Sequence, residues 1–380
     1  MAIYIIIYSL VFLAFFSDFV KTSKRTKALW MVLLVTVLIL FRGLRWRTGT
    51  DWIQFEEVFN TCTWNVASYY RDDGNRMDMG WVLLNRIVKV FGDYTLFLLI
   101  TNSFLVGTWA YLSKKLVPDR YLLAFGLVIV SNMFFPVRLQ IAAGIFCWVI
   151  YLLYKKNYIG SFFIYLIVCS FHKSAIMLFP LVLLLNVRIS DICAIIIIFT
   201  SLVGEMISNI FSDYMLLLSA YIGVFYPELA SNIVTYSNST IIGLQEKTPI
   251  HIFLSFALSL ILLIGLIKAR TKIEKHNLSE QEKRKFNIFF NCFVFFTFIS
   301  KFFNAEALSN LVRMIEFFTF GYSISIALAY KYLNSKRTHS IFVLFFVLYY
   351  IVKIRALLNT PFPDEFFPYY SVFDSSLRRL

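Results

Sequence analysis

The chain has 380 residues, of which 59% are hydrophobic and 19% aromatic, and it carries a formal net charge of +14. Soluble domains contain about 45–50% apolar residues, so this composition excludes an ordinary soluble protein and predicts one that is surrounded by lipid. The positive charge does not indicate nucleic acid as a partner, because the basic residues occur in short loops between apolar runs and not on one soluble surface.

A membrane-spanning helix needs roughly 20 mostly apolar residues, and about twelve segments approach that length. In chain order they are 2–19, 28–41, 94–112, 121–135, 137–154, 158–171, 174–187, 191–210, 249–267, 286–303, 311–330 and 340–358. The pattern predicts an all-α polytopic membrane protein in which residues 1–380 form one integral membrane domain. Segment 79–91 is too short to span and carries Arg86 and Lys89, which predicts a helix at the membrane interface.

Lysine and arginine accumulate in the cytoplasmic loops of membrane proteins, and here the basic loops follow every second predicted span. The loops 21–27, 113–120, 155–157, 188–190, 268–285 and 331–339 are therefore predicted to be cytoplasmic. These loops hold the basic excess of the chain. A single choice of the cytoplasmic side is therefore consistent with all the predicted spans. Segments 42–93 and 211–248 are then loops on the outer face with interfacial helices, and both termini are predicted to lie outside.

Polar side chains collect at the predicted outer ends of the spans, where charges are costly and usually functional. The segment that follows the second span, Arg42–Asp51, contains three arginines and an aspartate. Candidates for binding an anionic group are Arg42, Arg45, Arg47, Arg138, Gln140, Lys173, Ser174 and Arg313. Arginine suits phosphate, because its planar fork donates two parallel hydrogen bonds and keeps its charge. The other interpretation of each arginine is a side chain that extends to lipid phosphate.

Proton transfer needs a carboxylate or an imidazole, and the candidates at this face are Asp51, Asp78 and His172. Asp51 is favoured as the base, because Gly49 allows close backbone approach and the nearby arginines keep the carboxylate ionised. The alternatives are an ion pair for Asp51 and a structural place at a helix end for His172. Since His172 lacks a second ligand at metal-binding spacing and the five cysteines show no disulfide or metal pattern, no metal or other cofactor is expected.

At these residues the chain resembles the EpsG family of bacterial polysaccharide polymerases, relatives of the Wzy-type O-antigen polymerases. The shared motifs are Arg42-Gly43-Leu44-Arg45 with Gly49-Thr50-Asp51, Asp78-Met79-Gly80, Arg138-Leu139-Gln140-Ile141-Ala142, Phe171-His172-Lys173-Ser174-Ala175, Arg313, and the C-terminal Tyr369-Tyr370-Ser371-Val372-Phe373. They follow the family's order and spacing over nearly the whole chain. Gln140 lies one position later than the family's glutamine, and Asp78 stands where the family often has Glu. Tyr370 in the last motif is a candidate for contact with a glycan.

The resemblance implies an enzyme that polymerises oligosaccharide repeat units of O-antigen, capsule or exopolysaccharide, with a GT-C-like glycosyltransferase architecture. It implies transfer of glycan from an undecaprenyl-diphosphate donor to the non-reducing end of a lipid-linked acceptor, at the outer, periplasmic face of the bacterial cytoplasmic (inner) membrane. A repeat-unit flippase and a chain-length regulator are the functional partners that it implies, besides membrane lipid. One displacement with one base and no metal predicts inversion at the anomeric carbon.

Three other functions compete with this interpretation. A ligase that moves glycan to a different lipid acceptor would use the same arginine chemistry, and only the acceptor separates the two. A flippase or exporter of lipid-linked sugar needs a polar path through the whole membrane, whereas here the charges are concentrated on one face. A multispan acyltransferase needs a histidine near the cytoplasmic side, and His172 is predicted on the opposite side.

Overall fold

The computed structural model describes residues 2–49, 52–65, 77–132, 137–201, 220–221, 249–276, 278–302, 313–335, 338–359 and 363–374. Over these residues the protein consists of helices and their connections, and the only strand-like pairing among them is one isolated bridge. The helices are α1 (Ala2–Phe16), α2 (Lys24–Gly43), α3 (Trp52–Thr61), α4 (Met79–Lys89), α5 (Tyr94–Leu116), α6 (Tyr121–Ser131), α7 (Val137–Tyr154), α8 (Tyr158–Phe171), α9 (Phe179–Leu184), α10 (Asp191–Ser201), α11 (Pro249–Lys275), α12 (Glu280–Phe302), α13 (Ile315–Leu333), α14 (His339–Leu358) and α15 (Pro363–Phe366).

Six of the described helices are long and apolar enough to cross a membrane. They are Lys24–Gly43, Tyr94–Leu116, Val137–Tyr154, Phe253–Lys275, Glu280–Phe302 and His339–Leu358, and five further apolar helices are shorter. The prediction of an all-α polytopic membrane protein is therefore confirmed. The count of twelve spans and the outer location of both termini stay predictions.

Side-chain caps define where several helices begin. The hydroxyl of Ser23 accepts a hydrogen bond from the Thr26 amide at the start of α2. The carboxylate of Asp93 accepts a hydrogen bond from the Leu96 amide at the start of α5, at a distance of 2.9 Å. Such side chains satisfy amides that have no partner within the helix, so these boundaries follow from the local sequence.

The chain divides into two compact units, Met1–Met177 with Asn334–Leu380, and Leu178–Leu333. In the first unit α5 packs against α2, α6 and α7, and α4 packs against α5 and α8. Aromatic rings fill the space between α3, α4 and α5; they include Trp52, Phe55, Phe59, Trp81 and Phe97. Because Trp81 and Phe97 are fully buried and meet edge to face at 5.3 Å, the short helix α4 is fixed to the bundle.

The C-terminal segment returns to the end of α2 within the first unit. Arg45 and Ser371 form the isolated antiparallel bridge, and the Trp46 amide donates to the Tyr370 carbonyl at 2.9 Å. The Tyr369 ring stacks on Phe41 at 4.9 Å, and its hydroxyl donates to the Phe41 carbonyl at 2.6 Å. The arginine-rich segment is thereby held by residues more than 300 positions later in the chain.

In the second unit α11, α12 and α13 pack together. The buried Asn291 of α12 donates to the carbonyls of Leu184, Leu185 and Val187, which satisfies the end of α9. Arg270 of α11 lies over the Phe290 ring at 3.9 Å and pairs with Asp191. These contacts tie the short helices of this unit to its long ones.

Two segments differ from the sequence prediction. The predicted span 174–187 consists of a 3-10 helix, Lys173–Leu178, and the short α9, because Pro180 starts a new helix and cannot continue the previous one. The predicted basic loop 268–285 is mostly helical, since α11 continues to Lys275 and α12 begins at Glu280. The loop 42–93, for which helices were expected, contains α3 and α4. Segment 211–248 lies outside the described residues except for 220–221.

Candidate active site

Asp78 is the centre of a charged cluster in the first unit. It precedes α4 and is only 5% exposed. Its Oδ2 accepts a hydrogen bond from Arg138 Nη1 at 2.9 Å, and its Oδ1 accepts one from the Lys173 amide at 3.3 Å. One carboxylate thus connects the start of α4, the start of α7 and the turn that follows α8.

The surroundings of Asp78 act on its pKa in opposite directions. Burial raises the pKa of the carboxyl above its ordinary value. The positive charges of Arg138 and Lys173 and the hydrogen bond from the Lys173 amide oppose this effect. A carboxylate that is desolvated and also held by cations can accept a proton once a cation is drawn away from it.

His172 lies beside this cluster at the end of α8. Its Nδ1 is 2.7 Å from the Ser174 hydroxyl, and its backbone amide and carbonyl bond to Val168 and Ala175. These bonds fix both the backbone and the ring orientation. The side chain of Arg138, which is about one quarter exposed, lies over the Phe55 ring at 5.9 Å. The cluster therefore combines a carboxylate, an imidazole, a hydroxyl and two cations on neighbouring elements.

A second polar group lies on the other side of the start of α7. The buried guanidinium of Arg42 donates to Asn102 Oδ1 and to the Asn132 carbonyl, each at 3.0 Å, and also to Gln140 Oε1. It lies 5.6 Å from the centre of the Trp109 ring. Arg42, Arg45, Asn102 and Gln140 line a cavity of about 10 Å³, which is room for roughly one water molecule. This group holds α2, α5 and α7 together.

Among the remaining predicted site residues, three are described by the structure. Arg47 is exposed and adopts a left-handed backbone with φ 43°. Arg313 belongs to the second unit, where its carbonyl accepts the Glu316 amide before α13. Tyr370 contributes its backbone to the pairing with Trp46 and Thr48. Asp51 lies outside the described residues.

Sequence reasoning missed Asn102 and Asn132, which bind Arg42. The signal for Asn102 was an amide within an otherwise apolar span, since a buried polar group in a membrane needs a partner. Asn132 acts through its backbone carbonyl, and a sequence carries no sign of that. Among the described residues, no three His, Cys, Asp or Glu side chains come together in a way that could hold a metal ion.

Comparison with known proteins gives one match. The family model described as EpsG family matches residues 28–371, which is nearly the whole chain. No curated protein and no solved structure matches with significance. The matched range contains both polar groups and most of the C-terminal segment that packs on α2.

Proposed function

Because the chain belongs to the EpsG family of polysaccharide polymerases, we propose that it joins lipid-linked oligosaccharide repeat units of a bacterial surface polysaccharide, such as O-antigen, capsule or exopolysaccharide. The donor glycan is carried by undecaprenyl diphosphate, and the acceptor is the non-reducing end of another lipid-linked unit. The reaction takes place at the outer face of the cytoplasmic membrane, in a protein of about twelve spans with a GT-C-like architecture and both termini outside.

The observation that supports this proposal is the cluster of Asp78, Arg138, His172, Lys173 and Ser174. Glycosyl transfer needs a base for the acceptor hydroxyl and positive charge for the departing diphosphate. The cluster contains both in adjacent positions. Its members come from three separate chain segments, and all but Arg138 and Asp78 belong to the Phe-His-Lys-Ser-Ala motif.

In the proposed reaction the acceptor hydroxyl oxygen attacks the anomeric carbon of the donor. The bond between that carbon and the diphosphate oxygen breaks, and undecaprenyl diphosphate leaves with the electron pair. The hydroxyl proton passes to Asp78. Since this is one displacement, the anomeric configuration inverts. Asp51 and His172 are the other candidate bases.

Arg138 has two tasks in this scheme. Without substrate it pairs with Asp78 at 2.9 Å. A donor diphosphate offers it a doubly anionic partner with matching bidentate geometry, and its partly exposed side chain is accessible to that partner. When Arg138 turns toward the diphosphate, Asp78 loses a stabilising charge and becomes a stronger base. Binding of the donor thus activates the carboxylate.

Arg45, Arg47 and Arg313 remain candidates for contact with diphosphate or glycan, as does Tyr370. Arg42 and Gln140 were predicted to contact substrate as well. Their cavity is too small for a diphosphate as it stands, so direct contact needs α2 and α7 to separate. We propose that these two residues mainly fix the position of α7.

The test uses purified protein in lipid with a synthetic undecaprenyl-diphosphate repeat unit. A ladder of products that grows by whole repeat units supports polymerisation. Transfer of the glycan only to a lipid acceptor without repeat units would contradict it. Movement of substrate across the membrane without a change in glycan length would indicate a flippase instead.

A further inference from the structure

Gly80 lies where the first turn of α4 meets the last turn of α8. A Cβ atom at this position would be 2.4 Å from Ser170 Oγ, 2.9 Å from Phe171 Cδ2 and 3.0 Å from the backbone carbon of Ser170. Carbon atoms in contact are normally about 3.5–4.0 Å apart. The hydroxyl and the ring can move aside, but the backbone carbon moves only with α8 itself.

The backbone conformation does not explain the glycine. Gly80 is within a regular helix, and its φ is not in the left-handed region that favours glycine. Glycine is also a poor helix former compared with alanine. The close approach of α8 is therefore the physical reason that a side chain is not accommodated here.

This approach determines the place of the candidate base. Asp78 is two residues before Gly80, and Lys173 is two residues after Phe171. The hydrogen bond from the Lys173 amide to Asp78 measures 3.3 Å, which is slightly longer than the usual range of about 2.7–3.2 Å. A small separation of α4 from α8 is enough to break it.

We propose that Gly80 is a positioning residue of the active site: its missing side chain lets α4 lie directly on α8, and this contact sets the Asp78 carboxylate against the Lys173 amide. The inference rests on the proposed function, because it assumes that Asp78 takes part in glycosyl transfer. It gives the glycine of the Asp-Met-Gly motif a role that is distinct from substrate contact.

The test is Gly80→Ala, assayed for repeat-unit transfer as a function of pH. We expect kcat to fall about 10- to 100-fold with little change in KM, because a displacement of about 1 Å is costly to rate. The acid limb of the rate profile should move to higher pH, since Asp78 loses a hydrogen bond that favours its ionised form. Adding Ser170→Ala should restore little of kcat, because the backbone carbon of Ser170 still meets the new Cβ atom.

The matched control is Gly126→Ala, which places a Cβ 2.9 Å from Phe15 where α6 meets α1. It should lower the melting temperature to a similar extent and leave the pH profile unchanged. If Gly80→Ala loses stability but keeps the wild-type pH profile, as Gly126→Ala is expected to do, Gly80 has no positioning role.

Asp78→Asn separates this inference from the proposed function. If Asp78→Asn is inactive while Gly80→Ala keeps the wild-type profile, only the role of Gly80 is refuted. If Asp78→Asn retains most of the wild-type rate, Asp78 is not the base and the Gly80 inference fails, whereas the polymerase function stands with another base.

Discussion

Replacement of Arg42 by alanine tests whether this arginine holds the fold or binds the substrate. Arg42 is 2% exposed and hydrogen-bonds to three groups on three other helices or their ends, namely Asn102, the Asn132 carbonyl and Gln140. If it holds α2, α5 and α7 together, its removal should lower stability. If its main task is to bind diphosphate, its removal should lower activity and leave stability largely unchanged.

The structure sets the size of the expected stability loss. A hydrogen bond to a charged group contributes about 1.5–3 kcal/mol, and a buried acceptor left without its donor costs about 1–3 kcal/mol. These terms are not additive, and the Asn102 side-chain amide keeps its bond to the Leu98 carbonyl at 2.8 Å. We therefore expect a total loss of about 3–5 kcal/mol for Arg42→Ala.

The assay is thermal unfolding of the purified protein in detergent or lipid, read together with transfer activity. A loss of this size corresponds to a decrease of about 6–20 °C in melting temperature, from the usual relation for domains of 150–250 residues. Arg25→Ala is the matched control, because Arg25 is an exposed arginine on the same helix and should change the melting temperature by less than about 2 °C.

Arg42→Lys separates the effect of the positive charge from that of the guanidinium geometry. Lysine keeps the charge but lacks the planar fork that reaches three acceptors at once, so it should recover less than half of the lost stability. If Arg42→Ala keeps the wild-type melting temperature but loses activity, the structural role is refuted. Arg42 would then be assigned to substrate binding.

Four other predictions concern chemistry and topology. Asp78→Asn should lower kcat about 10²- to 10⁴-fold, the usual contribution of a general base, and Asp78→Glu should recover part of it. Because burial raises the pKa of Asp78, the wild-type rate should decline toward acid from a pH above the ordinary carboxyl range; a rate that is flat down to pH 4 would exclude Asp78 as the base. Transfer should continue in EDTA, since arginine and lysine supply the positive charge, and loss of activity that Mg²⁺ restores would contradict the mechanism. In a variant without the exposed Cys193, a cysteine at Phe373 should be labelled from outside and one at Leu278 only from inside, and the reverse result would invert the proposed sidedness.

The sequence indicated several residues that lie together in the structure, but not the contacts that hold them in place. Asp78, Arg138 and the His172 motif were identified as candidates, and the structure brings them together. Residue type and position at a span end were sufficient for that. The partners of Arg42 depend on which faces of α5 and α7 point inward. A span that is apolar on all sides gives no sign in its sequence of which face that is.

The role of the C-terminal segment could not be predicted for a different reason. Tyr370 was selected for a possible contact with glycan, but its described contacts are those of its backbone with Trp46 and Thr48. This pairing joins segments separated by more than 300 residues, and nothing local in either segment indicates it. The side chain that contacts α2 is that of the neighbouring Tyr369, whose hydroxyl donates a hydrogen bond to the Phe41 carbonyl.

The two polar groups of the first unit are connected by the start of α7, and helix geometry explains how. Successive residues of an α-helix are rotated by about 100°, so Arg138 and Gln140 point to nearly opposite sides. Arg138 accordingly reaches Asp78, whereas Gln140 reaches Arg42. A side chain at position 139 would point between these two groups. By holding Gln140, Arg42 therefore sets the rotation of α7 and with it the direction of Arg138 toward the candidate base.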